Sequence, residues 1–230
     1  MEKQHLTLMD MGRMPYAQAW EQQVQFHQKV LDNELSGAIL LVEHPPVITL
    51  SHRKTVPGNL LADAEKLTAL GIDIQPTNRG GAITYHGPGQ LVAYPILRLK
   101  TYDLTVSSYM RLLEELVIRT LQAFGITGSR ESGKTGVWVQ RTDEQQPTEK
   151  ICAMGVRLKR GISLHGLALN VAPDMSHFDT IIPCGIADRS VTSLKQCLGD
   201  QCPTMQAVKD ELVKQFHYTL DQHKQTQAAR

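Results

Sequence analysis

The feature that most constrains this chain is a series of strand-like segments in its second half, "GVWVQ", "KICAMGVRLKR" and "GISLHGLALNV", with the polar stretch "RTDEQQPTE" between the first two. A polar turn between apolar runs reads as a hairpin, so antiparallel pairing is expected here. Upstream, "GAILLVEH", "VITLSH", "IDIQPT" and "QLVAYPILRL" read as further strands, the last demoted in part to an edge or bulge by Pro95. Helices interleave with them. Tyr16, Trp20, Val24 and Leu31 fall near helical spacing, and "ADAEKLTAL" reads as a short helix stopped by Gly71. Val106 to Phe124 carries Tyr109, Leu112, Leu113, Leu116, Val117, Thr120 and Leu121 as one apolar stripe, ended by Gly125. A last helix is expected over 205–217. This is the order of an α/β (α+β) fold. With 230 residues and 41% hydrophobic content, a single domain over 1–218 with one sizeable core is expected, followed by a tail, 219–230, that frays.

Lys plus Arg number 24 against 23 for Asp plus Glu, a formal charge of +1, which gives no reason to expect a broad nucleic-acid surface. The N-terminal "MEKQHLTLMDMGRMPYAQAW" has neither a signal-peptide core nor transit-peptide character, and nothing downstream approaches a membrane span, so a cytoplasmic protein is expected. Cys152, Cys184, Cys197 and Cys202 read as free thiols in that compartment, and no CxxC pair points to a metal.

Two glycine-rich stretches compete for attention. "GSRESGKT", Gly128 to Thr135, satisfies the phosphate-binding pattern GxxxxGK[ST] letter for letter. Such a loop needs a buried strand before it and a helix after it, whose N-terminal amides hold the phosphates. Here a long helix precedes and the strand-like "GVWV" follows, so a surface loop with a solvated Lys134 is expected. The other stretch is "RGGAITYHGPGQ", Arg79 to Gln90, which ends its alternating run in His86.

A nucleophile and a base are the next requirement. Cys184, in "IIPCGIAD", sits between proline and glycine, where a tight bend is expected, and Lys150 opens "KICAMGVR" at the mouth of a strand. An ammonium near a thiol favours the reactive thiolate. Cysteines are ordinarily inert core residues and strand-end lysines solvated charges, so spacing alone leaves the pair open. Cys152 is the rival: two residues from Lys150, it would share its strand face.

Taken in order, "RGGAITYHGPGQLVAYPIL", "GVWV", "KICAMGVR", "SLHGLALNV" and "FDTIIPCGI" resemble the blocks of the octanoyltransferases of lipoic acid biosynthesis, from about Gly37 to Leu198. The resemblance implies transfer of an octanoyl chain from acyl carrier protein to a lysine of lipoyl domains, those of 2-oxoacid dehydrogenase complexes and the glycine-cleavage H protein. It carries the acyl-thioester nucleophile onto Cys184 and the catalytic lysine onto Lys150. Its substrate-lining segments fall on Arg79, Gly80, Gly81, Ala82, Ile83, Thr84, Tyr85 and His86, on Ala153, Met154 and Gly155, and on Gly166, Leu167 and Ala168. The implied fold is that of biotin and lipoate protein ligases, a mixed, largely antiparallel sheet with helices, and no cofactor or metal is implied. On this reading His86 is a strut more than a proton carrier, and His165 is a supporting residue. Arg157, Lys159 and Arg160 form the densest basic run near Lys150, a contact for an acidic carrier protein or a solvated hairpin edge. The alternatives are an ATP-dependent lipoate or biotin protein ligase and a non-catalytic carrier-protein binding module.

Overall fold

The computed structural model describes residues 6–51, 57–140, 147–182 and 190–228. Its longest ladder joins β9 (Glu149–Lys159) to β10 (Ile162–Asn170), antiparallel, with Lys159 opposite Ile162. Between them Arg160 and Gly161 both take positive φ, 51° and 75°, the two-residue turn whose twist matches that of paired strands. Five more strands extend this sheet: β1 (Thr7–Arg13), β2 (Gly37–Glu43), β6 (Gln90–Leu97), β7 (Gly128–Glu131) and β8 (Lys134–Val139). Their order is β1-β2-β6-β10-β9-β8-β7, with β1 parallel to β2 and the other pairs antiparallel. A second sheet holds β3 (Val47–Ser51) between a parallel β4 (Asp73–Thr77) and an antiparallel β5 (Ile83–His86).

Helices α3 (Val106–Ala123) and α5 (Met205–Ala228), the latter preceded by a short α4 (Leu194–Leu198), cover one face of the large sheet, where Leu113, Leu116, Leu212 and Phe216 pack with Leu91, Cys152 and Leu169. Thr105 caps α3 by accepting from the Ser108 amide, and Ser108 returns the bond to the Thr105 amide. The opposite face meets α1 (Tyr16–Leu31), whose buried side carries Ala19, Phe26 and Val30. A short helix, α2 (Ala64–Ala69), packs Leu67 against the small sheet.

Four features differ from the sequence reading. Val24 is exposed, because the buried side of α1 runs through Tyr16, Ala19, Gln23 and His27 instead. Pro95 lies in a central strand: the β6–β10 ladder ends at Ala93, and the Ser163 hydroxyl there accepts from the Leu97 amide and donates to the Pro95 carbonyl. The last helix continues through Ala228, held by buried Leu220 and by Lys224, whose Nζ lies 4.7 Å from the Tyr102 ring centroid. β1 was not anticipated, since "TLMDMGR" lacks clean alternation; it is fixed by pairing with β2 and by the Lys209–Asp10 ion pair at 2.8 Å to α5. Among the described residues no helix is long and apolar enough to cross a membrane.

Candidate active site

Alternation along three strands of the large sheet builds a trench. Toward α1 and the small sheet, β6 presents Gln90, Val92 and Tyr94, β10 presents Asn170, Ala168 and Gly166, and β9 presents Ala153 and Gly155. The register sets Ala168 between Ala153 and Val92, and Gly166 beside Gly155. These rungs are ~6.6 Å apart, and four of their side chains are Ala or Gly, so the floor is low over two rungs. The cavity lies above it.

Main chain supplies the roof. The Gly80 amide donates to the Val156 carbonyl at 3.1 Å, and a Cβ on Gly155 would collide with the Gly80 carbonyl. Arg79 fixes this loop to β3: Nη2 donates to the Thr49 carbonyl and hydroxyl, both at 3.0 Å, and Nη1 donates to the Gly80 carbonyl at 3.0 Å. Along β5, Thr84 and His86 face the cavity, while Ile83 and Tyr85 join the core of the small sheet.

Polar groups that are almost all internally paired line and back the trench. His44 donates from Nδ1 to the Met14 carbonyl at 2.8 Å, leaving Nε2 to accept from the Tyr94 hydroxyl at 2.8 Å. The Tyr16 hydroxyl bonds Thr77 Oγ1 at 2.7 Å, and its ring stacks on His86 at 6.3 Å. Gln90 uses its Nε2 on Asn170 Oδ1, so its Oε1 accepts from His86 Nδ1 at 2.6 Å. His165 holds a left-handed φ of 59° inside β10, stacks on Trp20 at 4.9 Å and donates from Nε2 to Asn78 Oδ1, leaving Nδ1 buried without a partner. Burial lowers His44 to about 4. Burial first, then His44 and Arg79, lowers His86 to about 3; burial, then Arg79 and Arg157, does the same to His165. All three rings are therefore neutral near pH 7, and Arg79 is the charged member of the wall.

A second space shares Thr84 and Ala153 with the trench and is lined by Lys150, Gln90, Asn170 and Phe178. Lys150 is 5% exposed. Its amide donates to Ser190 and its carbonyl accepts from Thr192, a short parallel bridge that seats 190–192 beside β9. Nζ lies 4.6 Å from the centroid of the Trp138 ring. Lys150 and Cys152 do not share a face. Val137 pairs with Cys152 and Trp138 with Lys150, so Ile151 is an extra residue, a bulge that reverses the alternation. Cys152 is thereby turned into the helix-covered core, fully buried, its thiol pushed up to about 12 by burial. Cys184 lies outside the described residues.

A family model described as the lipoyl protein ligase A/B catalytic domain matches residues 15–217. The chain belongs to this family. An octanoyltransferase from Chloroflexus aggregans is 46% identical over 209 residues, which cover 90% of this chain and 91% of that one. Among solved structures, a bipartite lipoate protein ligase from an archaeal lipoylation system, that of Thermoplasma acidophilum, matches with a TM-score of 0.71 at 15% identity, over 95% of this chain and 85% of that one. Biotin protein ligase from Aquifex aeolicus matches with a TM-score of 0.56 at 16% identity, over 95% and 72%. These last two likenesses are of fold.

In this member of the lipoyl protein ligase A/B family, Arg79, Gly81, Thr84, His86, Ala153, Met154, Gly155, Gly166, Leu167 and Ala168 line the trench. Gly80 is in its roof without lining it, and the Ala82 carbonyl accepts from the Ser51 amide. Ile83 and Tyr85 face away, Tyr85 bonding His177 Nδ1 at 2.7 Å. The sequence reading missed Tyr16, Val92 and Tyr94, which line the trench from elements far apart in the chain, and His44, which backs Tyr16 and Tyr94. The phosphate-loop look-alike is the β7–β8 hairpin: Arg130 pairs with Glu114 and Glu115 of α3, and Lys134 lies 3.5 Å from Glu131. A strand follows its lysine, so no helix N-terminus is there to hold phosphates. Among the described residues no cluster of three or more His, Cys, Asp or Glu could hold a metal ion.

Proposed function

We propose that this protein is a cytoplasmic octanoyltransferase of lipoate biosynthesis, moving octanoyl from acyl carrier protein to a lysine of lipoyl domains, those of 2-oxoacid dehydrogenase complexes and the glycine-cleavage H protein. The observation that carries the reading is the trench: a floor of the small residues Ala153, Gly155, Gly166 and Ala168 fits an unbranched acyl chain, and the space that shares its Thr84 and Ala153 is lined by a buried amine, Lys150. The name borne by relatives at 46% identity supports it.

In this mechanism the Cys184 thiolate attacks the octanoyl carbonyl of the carrier thioester. The tetrahedral adduct collapses by breaking the carbon–sulfur bond to pantetheine, which leaves as thiolate and takes up a proton. Lys150 accepts the Cys184 proton at the start of this half and supplies the one the leaving thiolate takes. In the second half the lipoyl-domain amine attacks the acyl-cysteine, Lys150 removes the proton the nitrogen sheds, and the amide forms as the Cys184 thiol is released. Each protein partner departs before the next arrives, so kinetics are ping-pong. Arg157, Lys159 and Arg160, all exposed beside the β9–β10 turn, are the proposed contact for the acidic carrier protein. Charge reversal at Lys159 should slow donor use more at low salt than at high, and a rate indifferent to it at low salt removes that contact.

Intact-mass measurement after mixing with octanoyl-acyl carrier protein, without ATP, tests the whole reading. A thioester-linked octanoyl adduct is expected, lost in Cys184→Ser and kept in Cys152→Ser. Acylation that requires ATP would make the protein a ligase instead, and an adduct on Cys152 would displace Cys184.

A further inference from the structure

Lys150 has an unusual companion. Its cross-strand neighbour on β8 is Trp138, and Nζ lies 4.6 Å from the indole centroid. Trp138 is 0% exposed, yet its Nε1 is buried without a hydrogen-bond partner. A phenylalanine or leucine would fill that interior without an orphaned donor, so bulk alone does not account for an indole here. What the indole supplies beyond them is the most electron-rich face among aromatic side chains.

Gly136 acts toward the same end. A Cβ there would lie 3.3 Å from Lys150 Cε and would run into the Cys152 carbonyl, and its φ of 121° disfavours any other residue. The missing side chain clears the space in which the lysine stem lies.

We infer that Trp138 is a positioning residue for acyl transfer: its indole face steadies the ammonium that Lys150 becomes on taking a proton, in the space beside Thr84 and Ala153, and thereby sets the rate of proton transfer in both half-reactions. The inference rests on Lys150 acting in the reaction proposed above. A lysine amine rides on a flexible four-carbon stem with three rotatable donors. A ring face attracts the charge without using any of the three N–H donors, so the same group can serve a thiol in one half-reaction and an amine in the next. Lys134, 5.7 Å from the same ring, lies near Glu131 and lines neither the trench nor the space that Lys150 lines.

Single-site incorporation of mono-, di- and trifluorotryptophan at position 138 tests this, because fluorine drains the ring face with little change of shape. The single-turnover transfer rate is expected to fall stepwise, by about 10-fold for the trifluoro ring, with KM for the acyl donor unchanged. Trp138→Phe should retain an intermediate rate, and in a Lys150→Ala background the fluorine series should be flat. A rate indifferent to fluorination overturns the inference, as does an equal slope in the Lys150→Ala background, which would make Trp138 a packing residue only. Full-rate transfer by Lys150→Ala itself would instead remove the base reading of Lys150, and this inference with it.

Discussion

Gly89 and Gly133 sit in the two glycine-rich stretches of this chain, and both hold left-handed φ, 85° and 74°. A Cβ on Gly133 would meet nothing within 4 Å, whereas one on Gly89 would run into the Ala172 carbonyl. The Gly89 carbonyl also accepts from the Val171 and Ala172 amides, and its amide donates to Glu43 Oε2 at 2.9 Å. One glycine serves a tight turn in open solvent; the other permits main chain to lie against main chain beneath the trench. The lysines divide in the same way. Lys134 is at the hairpin surface, its side chain 25% exposed, while Lys150 is buried where two cavities meet. Motif letters report neither the space around a glycine nor the burial of a lysine, and those two quantities separate the sites.

Exchanging the lysines should give the largest contrast. Lys150→Ala is expected to slow each half-reaction by ~10²–10⁴-fold, the usual worth of a positioned proton-transfer group. Lys150→Arg should not rescue it, because guanidinium keeps its proton near neutral pH. Lys134→Ala should change the rate by less than ~2-fold, as expected for a surface ion pair. Single-turnover rates for each half decide the matter, and a ~100-fold loss in Lys134→Ala would erase the distinction.

The glycines come next. Gly89→Ala combines a left-handed non-glycine residue with a backbone overlap and should cost about 2–4 kcal/mol in urea unfolding. Gly133→Ala carries only the first penalty, ~1 kcal/mol, with activity retained. Equal costs would mean that the two stretches are held alike.

Filling the trench should act on chain length before stability. Ala168→Leu is expected to slow acylation by octanoyl donors by ~10–100-fold while two- and four-carbon donors still react, since the added carbons occupy acyl space. An unchanged preference across donor lengths would show that the acyl chain lies elsewhere.

The last contrast is one of pH. The histidines of the trench wall belong with the first stretch, and the hairpin from Gly128 to Val139 contains none. His44, His86 and His165 are lowered from 6.5 to about 4, 3 and 3. Above pH ~6.5 both folded and unfolded chains leave these rings neutral. As pH falls below it, the unfolded chain takes up protons that the folded one refuses, so stability is lost, by up to ~1.4 kcal/mol per pH unit for each ring. Urea unfolding between pH 7.5 and 5 should show this slope, and His86→Gln should lessen it. A slope unaltered by His86→Gln would place the pH dependence outside the trench wall.

Much of the scaffold was legible because it rests on local periodicity. The stripe from Tyr109 to Leu121 defines α3, and the alternating segments around Lys150 and His165 define β9 and β10. What stayed hidden depends on distant partners. The Ile151 bulge exists only in the register with β8, so alternation placed Lys150 and Cys152 together when the sheet sets them apart. Pro95 reads as an edge residue until Ser163, from another strand, closes the gap in the ladder. Tyr16, His44 and Tyr94 meet through hydrogen bonds and ring contacts across 28 to 78 positions of chain, a separation no window along the sequence spans.

The Gly80 amide on the Val156 carbonyl fastens the trench roof to its floor through main chain alone. The spacing of the main chains that frame the acyl channel is then nearly invariant to side-chain replacement, whereas the room left between them is set by the side chains that line it, Ala168 below and Tyr16, His86 and Tyr94 around it. Drift in amino-acid sequence can retune the room in such a channel one residue at a time while its main-chain frame is inherited unchanged.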